Sequence, residues 1–126
     1  MAATDTPAET ATSRIGEPTA RQMRNALIRA SFNPIIYEMV DFSLGIYDEN
    51  ADLLAEGPGI PLFVGALTFA IKDVMNYVGR ENVDDGDVIL STYSYWTGSH
   101  PQDAVTIRPI FWDGDIIGYA VAKAHW

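Results

Sequence analysis

An Asp-Gly pair, Asp113-Gly114, lies between two β-forming runs in the closing stretch TGSHPQDAVTIRPIFWDGDIIGYAVAKAHW. No other feature restricts the fold as tightly. A two-residue hairpin turn whose twist matches its strands needs positive φ at both central residues, and Asp and Gly tolerate this. With Asp113 and Gly114 at those centres, Trp112 faces Asp115, Phe111 faces Ile116, Pro109 faces Gly118, Ile107 faces Ala120 and Val105 faces Ala122. That face is wholly apolar and sets large residues against small ones, which suits packing against a helix. The opposite face pairs Ile110 with Ile117, Arg108 with Tyr119 and Thr106 with Val121. Pro109 offers no donor to a ladder, which predicts an edge or a bulge there.

The same register sets His125 opposite Gln102 and makes His100 its diagonal neighbour on one face. Diagonal partners stand about 7 Å apart at the backbone, within reach of two imidazoles converging on one ion. Asp103 would point away in a regular strand. Pro101 disfavours a regular strand, so a turn across 99–103 can swing Asp103 inward. A bulge at Gly114 would shift every pair by one and weaken this construction. His100, Asp103 and His125 are thus the candidate metal ligands. Two imidazoles and a carboxylate leave coordination positions open and suit Zn, Mn or Fe(II). The same residues are compatible with a hydrogen-bonded core histidine or, at His125, with a solvated one near the chain end. Lys123 projects from the hairpin with no partner that the sequence identifies, and no catalytic base can be named.

The rest of the chain reads as one domain or part of one, 126 residues with a net charge of −9. That charge argues against a phosphate-backbone partner, so no nucleic-acid role is expected. There are no cysteines, which removes thiolate ligands, thiol nucleophiles and disulfides together and fits a cytoplasmic protein. No secretory signal is visible at the N-terminus. The longest apolar stretch, Ile60 to Ile71, is far short of the roughly 20 residues a membrane span needs.

Residues 1–18, rich in Ala, Thr, Pro and Glu without apolar periodicity, predict a disordered lead-in, and 19–126 the folded part. Ala20, Met23, Leu27 and Ala30 predict a short helix capped by Thr19 and ended before Asn33-Pro34. Asp41–Tyr47 and Asp52–Ala55 predict a hairpin turned at Asp48-Glu49-Asn50. A second helix over 62–78 carries Leu62, Leu67, Ile71, Val74, Met75 and Val78, with Val64, Ala66, Phe69 and Ala70 widening its apolar surface. Val83-Asp84-Asp85-Gly86-Asp87 reads as a solvated loop, and Val88–Trp96 as a β-rich run. The order predicts an α+β fold, an antiparallel or mixed sheet with two helices. Thr97-Gly98-Ser99 could present amides to an anion, although a plain turn accounts for it. Glu56-Gly57-Pro58-Gly59 lacks the lysine and glycine spacing of a phosphate loop.

Two segments, SFNPIIYEMVDFSLGIYDENADLLAEGPGIPLFVGAL and GDVILSTYSYWTGSHPQDAVTIRPIFWDGDIIGYAVAKAHW, resemble the N-terminal region of the hydantoinase B/oxoprolinase family. The resemblance rests on Asp41-Phe42-Ser43, Ile60-Pro61 before a helix, Gly98-x-His100-x-x-Asp103 and Ala124-His125, in that order. It implies an N-terminal fragment of a larger enzyme subunit, with a hydantoinase A-like partner subunit handling ATP. It also implies a divalent metal, Mn, Zn or Fe, on His100, Asp103 and His125. The implied activity is ATP-dependent hydrolysis of a cyclic amide such as a hydantoin or 5-oxoproline. The alternatives are a subunit of an acetone- or acetophenone-type carboxylase, or a truncated piece without catalysis. Where many members carry histidines around the Ile-Pro segment, this chain has Gly59 and Phe63, which weakens the case for a hydantoin.

Overall fold

The computed structural model describes residues 7–58, 61–97 and 100–125, leaving out the side chains of 7–15, 61–64 and 97. Gly59, the Phe63 side chain and the Gly98-Ser99 part of the candidate anion turn therefore lie outside the described residues.

The elements are α1 (Pro7–Ala30), α2 (Pro34–Tyr37), β1 (Phe42–Asp48), β2 (Leu53–Glu56), α3 (Pro61–Val78), a 3-10 turn (Arg80–Asn82), β3 (Ile89–Ser91), α4 (Ser94–Thr97), β4 (Asp103–Trp112) and β5 (Asp115–His125). The strands form one five-stranded sheet in the order β2-β1-β5-β4-β3. Every pairing is antiparallel, so the fold is α+β without the mixed alternative. The two long helices are those expected; α2 and α4 add one turn each.

Three expectations need correction. Helix α1 starts at Pro7 rather than at a Thr19 cap, so residues 7–18 are helical and not a disordered lead-in. Their weak apolar period concealed this; at Gly16 the helix lies so close to β2 that an added Cβ would stand 2.6 Å from the Ala55 Cβ. Asn33 does interrupt the chain as expected, but as the cap of the next turn: its Oδ1 accepts from the Ile35 N–H at 2.9 Å, with Pro34 at the first helical position. Second, the β-rich run keeps only three paired residues, Ile89–Ser91, before α4 begins at Ser94. Third, Phe69 does not widen the buried face of α3; it is 68% exposed, while Leu67, Ala70, Ile71, Val74 and Met75 are buried.

The sheet is covered on both faces. On one, Leu67, Ile71, Val74 and Met75 of α3 pack against Tyr47, Val105, Ile107, Tyr119 and Val121. On the other, Ala20, Met23, Leu27 and Ile28 of α1, with Ile36, cover Phe42, Leu44, Ala122 and Ala124. Successive side chains of a strand point to opposite faces, and a sheet between two helical layers must be apolar on both.

The β4-β5 hairpin decides what faces where. Asp113 and Gly114 do form the turn, with φ of 51° and 87°, and Trp112↔Asp115 and Phe111↔Ile116 pair as expected. The register then slips by one between Ile110 and Phe111, giving Ile110↔Gly118 and Pro109↔Tyr119. Ile117 is the extra residue, a bulge three residues beyond the turn. Beyond it every β5 side chain exchanges faces. Tyr119, Val121 and Lys123 therefore face α3 in place of Ala120 and Ala122. Pro109 sits beyond the last β3-β4 pair, Ile89↔Ile107, where the ladder has no need of its missing donor.

Gly118, just past the bulge, lies so close to β1 that a Cβ there would stand 2.5 Å from the Tyr47 carbonyl oxygen. Gly118→Ala is expected to lower stability by about 1–3 kcal/mol, the usual cost of forcing atoms into a packed site. Urea unfolding measures this, and an unchanged midpoint would refute the contact.

Candidate metal centre

The slipped register brings the candidate ligands together. Asp103, the first residue of β4, pairs directly with His125, the last of β5, where a straight hairpin would have put Gln102. Cross-strand partners share a face, so Asp103 and His125 converge with no distortion of either strand. His100 arrives from the turn before β4. The Asp103 N–H donates to the His100 carbonyl at 3.0 Å, and the His100 N–H donates to Asp103 Oδ2 at 3.0 Å. This reciprocal pair closes a turn with Pro101 at its second position, where the fixed proline φ fits. The expected turn at Pro101 is therefore real, but it carries His100 toward Asp103 and does not have to swing Asp103 itself.

The carboxylate of Asp103 is divided between its two oxygens. Oδ2 takes the His100 N–H and lies 3.4 Å from the Lys123 Nζ. Oδ1 lies 2.9 Å from His125 Nδ1. His125 is anchored on its other side, its N–H donating to the Asp41 carbonyl at 3.2 Å just before β1. The two imidazole rings stand edge to face, 88° apart, with centroids 5.7 Å apart. Exposure rises outward: the Asp103 side chain is 1% exposed, that of His125 27% and that of His100 67%. Burial works to raise the Asp103 carboxyl. The His125 hydrogen bond, the His100 N–H and the Lys123 ammonium together outweigh it and hold Asp103 below the usual carboxylate range.

One ligand atom from each of His100, Asp103 and His125 lies within 4.8 Å of the others. Ligand atoms about 2.1 Å from one ion are about 3 Å apart at a right angle and at most about 4.2 Å apart. The hydrogen-bonded His125 Nδ1–Asp103 Oδ1 pair, 2.9 Å apart, already stands at the closer value, and the His100 side chain, 67% exposed on its turn, has room to close the remainder by rotation. The donor set fits a divalent cation: neutral imidazoles and an ionised carboxylate, with coordination positions open on the exposed His100 side.

Lys123 is the residue that sequence reasoning missed. Its side chain is 0% exposed and faces Asp103. The signal was present whatever the register: residues 123 and 125 share a face of any regular strand, so wherever His125 goes, Lys123 follows. Ser43 completes this end of the sheet, directly across from Lys123 on β1. Its Oγ is buried with no hydrogen-bond partner among the described residues. Asp84, Asp85 and Asp87 remain apart from the centre in an exposed loop closed by the Asp84 N–H on Asp87 Oδ2 at 2.9 Å. The aromatic residues Tyr77, Tyr93 and Trp96 cluster among themselves, with centroids about Trp96 at 5.0 and 4.9 Å.

Comparison with known proteins places the chain in a family. A 5-oxoprolinase of Dictyostelium discoideum is 32% identical over 106 residues, covering 84% of this chain and 8% of its own. The caprolactamase β subunit of Pseudomonas jessenii is 29% identical over 109 residues, covering 86% of this chain and 19% of its own. The nucleotide-free structure of an acetone carboxylase superimposes with a TM-score of 0.77 at 28% identity, over 86% of this chain and 14% of that one. The chain thus spans less than a quarter of the length of each of these proteins. Residues 13–126 match the sequence profile described as hydantoinase B/oxoprolinase, and the chain belongs to that family.

Proposed function

We propose that the chain carries the divalent-cation site of an enzyme subunit that hydrolyses a cyclic amide, with 5-oxoproline or a related lactam as substrate class. The observation that carries this reading is the convergence of His100, Asp103 and His125 around one buried carboxylate. A bound Mn, Zn or Fe ion would supply a Lewis acid for the amide carbonyl. The protein's part is positional. Asp103 is held ionised and fixed at one oxygen by Lys123 and the His100 N–H, so the other oxygen is presented toward His125. The Asp41 carbonyl fixes the backbone at His125. The substrate approaches from the His100 side, since exposure rises outward from the buried Asp103 to His100. ATP is handled by a hydantoinase A-like partner subunit, in keeping with the subunit naming of the caprolactamase relative. Among the described residues no helix is long and apolar enough to cross a membrane, and a cytoplasmic setting fits the reading.

A second reading, ketone carboxylation, is favoured by the overlay on acetone carboxylase. The same cation would there stabilise a developing enolate oxygen. In a complex assembled with the partner subunit, ATP hydrolysis stimulated by 5-oxoproline supports the first reading. Stimulation by acetone with bicarbonate supports the second.

The cation site is tested in the purified protein by calorimetric titration with Mn²⁺ and Zn²⁺. The expected result is one site per chain, with affinity lowered about 10-fold or more in His125→Ala and in His100→Ala. Equal heats from wild type and both variants would remove the centre from the account.

A further inference from the structure

The position of Lys123 carries a consequence for how the cation site works, resting on the reading just proposed. On the α3-facing side of the sheet, the strand neighbours of Lys123 are Val105 on β4, Val121 on β5 and Ser43 on β1, all fully buried. A lysine with 0% exposure in that company is costly, and a buried ion pair generally stabilises a fold less than well-packed apolar residues of the same size. Stability alone does not account for it. Its Nζ lies 3.4 Å from Asp103 Oδ2, the oxygen turned away from His125.

We infer that Lys123 is a built-in counter-cation: it fixes and orients the Asp103 carboxylate before a metal arrives, and competes with the metal for that carboxylate. With both imidazoles as uncharged ligands, Asp103 and Lys123 together give the described part of the site no net charge. A dication bound at Asp103 Oδ1 would be no more than about 8 Å from the ammonium, given the 3.4 Å Lys123 contact, the span of the carboxylate and a metal–oxygen bond of about 2.1 Å. At the effective dielectric of about 20 that describes such sites, this repulsion exceeds what a tenfold change in affinity requires. Lys123 therefore makes the site preformed but moderate in affinity, so that its ion exchanges and its open positions stay available. Lys123 is a positioning residue, with no place among the ligands.

The sign of the effect separates this from a scaffold role. Losing a scaffold weakens metal binding, whereas losing a competing charge strengthens it. Lys123→Met keeps the volume and removes the charge; Lys123→Gln removes the charge and keeps a donor. Calorimetric titration of MnCl₂ into each purified protein, with thermal unfolding with and without Mn²⁺, is expected to show three things. Both neutral variants bind Mn²⁺ at least about tenfold more tightly than wild type. Both melt lower than wild type without metal. Both gain more in melting temperature from Mn²⁺ than wild type does. A variant that folds only with Mn²⁺ present is the same result in stronger form. If wild type binds Mn²⁺ and the variants bind it equally or more weakly, the cation site stands and the counter-cation role is overturned. Variants that fail to fold even with Mn²⁺ overturn it too, because the ion then cannot replace the lysine charge. If neither wild type nor the variants bind, the cation-site reading fails and the role of Lys123 with it.

Discussion

Asp103→Asn is expected to abolish cation binding and to destabilise the protein by about 3–5 kcal/mol at neutral pH, the cost of breaking a buried ion pair from one side. Both effects come from one geometry. The side chain is 1% exposed and its charge faces Lys123, which is 0% exposed. Asparagine keeps the shape and an acceptor for the His100 N–H but removes the charge that the ammonium faces. The pH dependence gives an independent check. The carboxyl of Asp103 is held below its usual range in the folded protein, and unfolded aspartate titrates near about 3.9. The stability it contributes is therefore fully present above about pH 4, and is lost as pH falls through the depressed folded value. Urea unfolding of both proteins from pH 7 to pH 2 is expected to show a gap that is constant near neutrality and closes in acid. A variant within about 1 kcal/mol of wild type at pH 7 would show that the Asp103–Lys123 pair is not formed as described.

Much of this centre was legible in the sequence, for reasons that can be separated residue by residue. The turn at Asp113-Gly114 was readable because positive φ at two successive residues is a strict local demand. The turn at His100–Asp103 was readable because Pro101 cannot continue a strand. Both are local, and neither depends on what the rest of the chain does. The slip at Ile117 is different. Gly118 stands beside it and Pro109 near it on the opposite strand, but neither fixes which residue is extra, and Ile117 is β-branched and half-exposed, an ordinary strand residue. What forces it is the tertiary demand that Tyr119 and Val121 meet α3 and that Ala122 and Ala124 lie under α1 and Ile36. The alanines suit the face that a helix approaches closely, and the large residues suit the other. Because the period of a strand is two, one extra residue reverses every later assignment. The straight and the slipped registers nonetheless name the same three candidate residues, by different contacts. His125 was matched with His100 across a diagonal, while its direct partner is Asp103. Lys123 shares a face with His125 in either register; what the sequence does not show is that this face is buried at residue 123 and set against Asp103. The helical N-terminal segment was hidden by composition, since residues 7–18 are rich in Ala, Thr, Pro and Glu and carry no apolar stripe.

Tyr119→Ala tests the slipped register directly and is expected to cost about 3–5 kcal/mol, as truncation of a large buried aromatic does. In a hairpin without the bulge, Tyr119 would face Arg108 on the side away from α3, and its loss would cost what surface truncations cost, within about 0.5 kcal/mol. In the structure it is 1% exposed and lies across from Tyr47 on β1 and Pro109 on β4. It shares a cluster with Ile71, Val74 and Met75 of α3. Burial raises its phenol above the ordinary tyrosine value, with the charge of Arg80 pulling the other way. The ring, more than the hydroxyl, fills the gap between sheet and helix, so Tyr119→Phe is expected to retain most of the stability lost in Tyr119→Ala. Arg108→Ala is the internal control: Arg108 is exposed and pairs with Ala120 in the slipped register, and its removal is expected to be nearly neutral. A large loss at Tyr119 with little at Arg108 requires the slip at Ile117, and that slip is what sets His125 opposite Asp103. Comparable small losses at both positions would restore the straight hairpin, return Lys123 to the outer face, and separate the two residues on which the cation site depends.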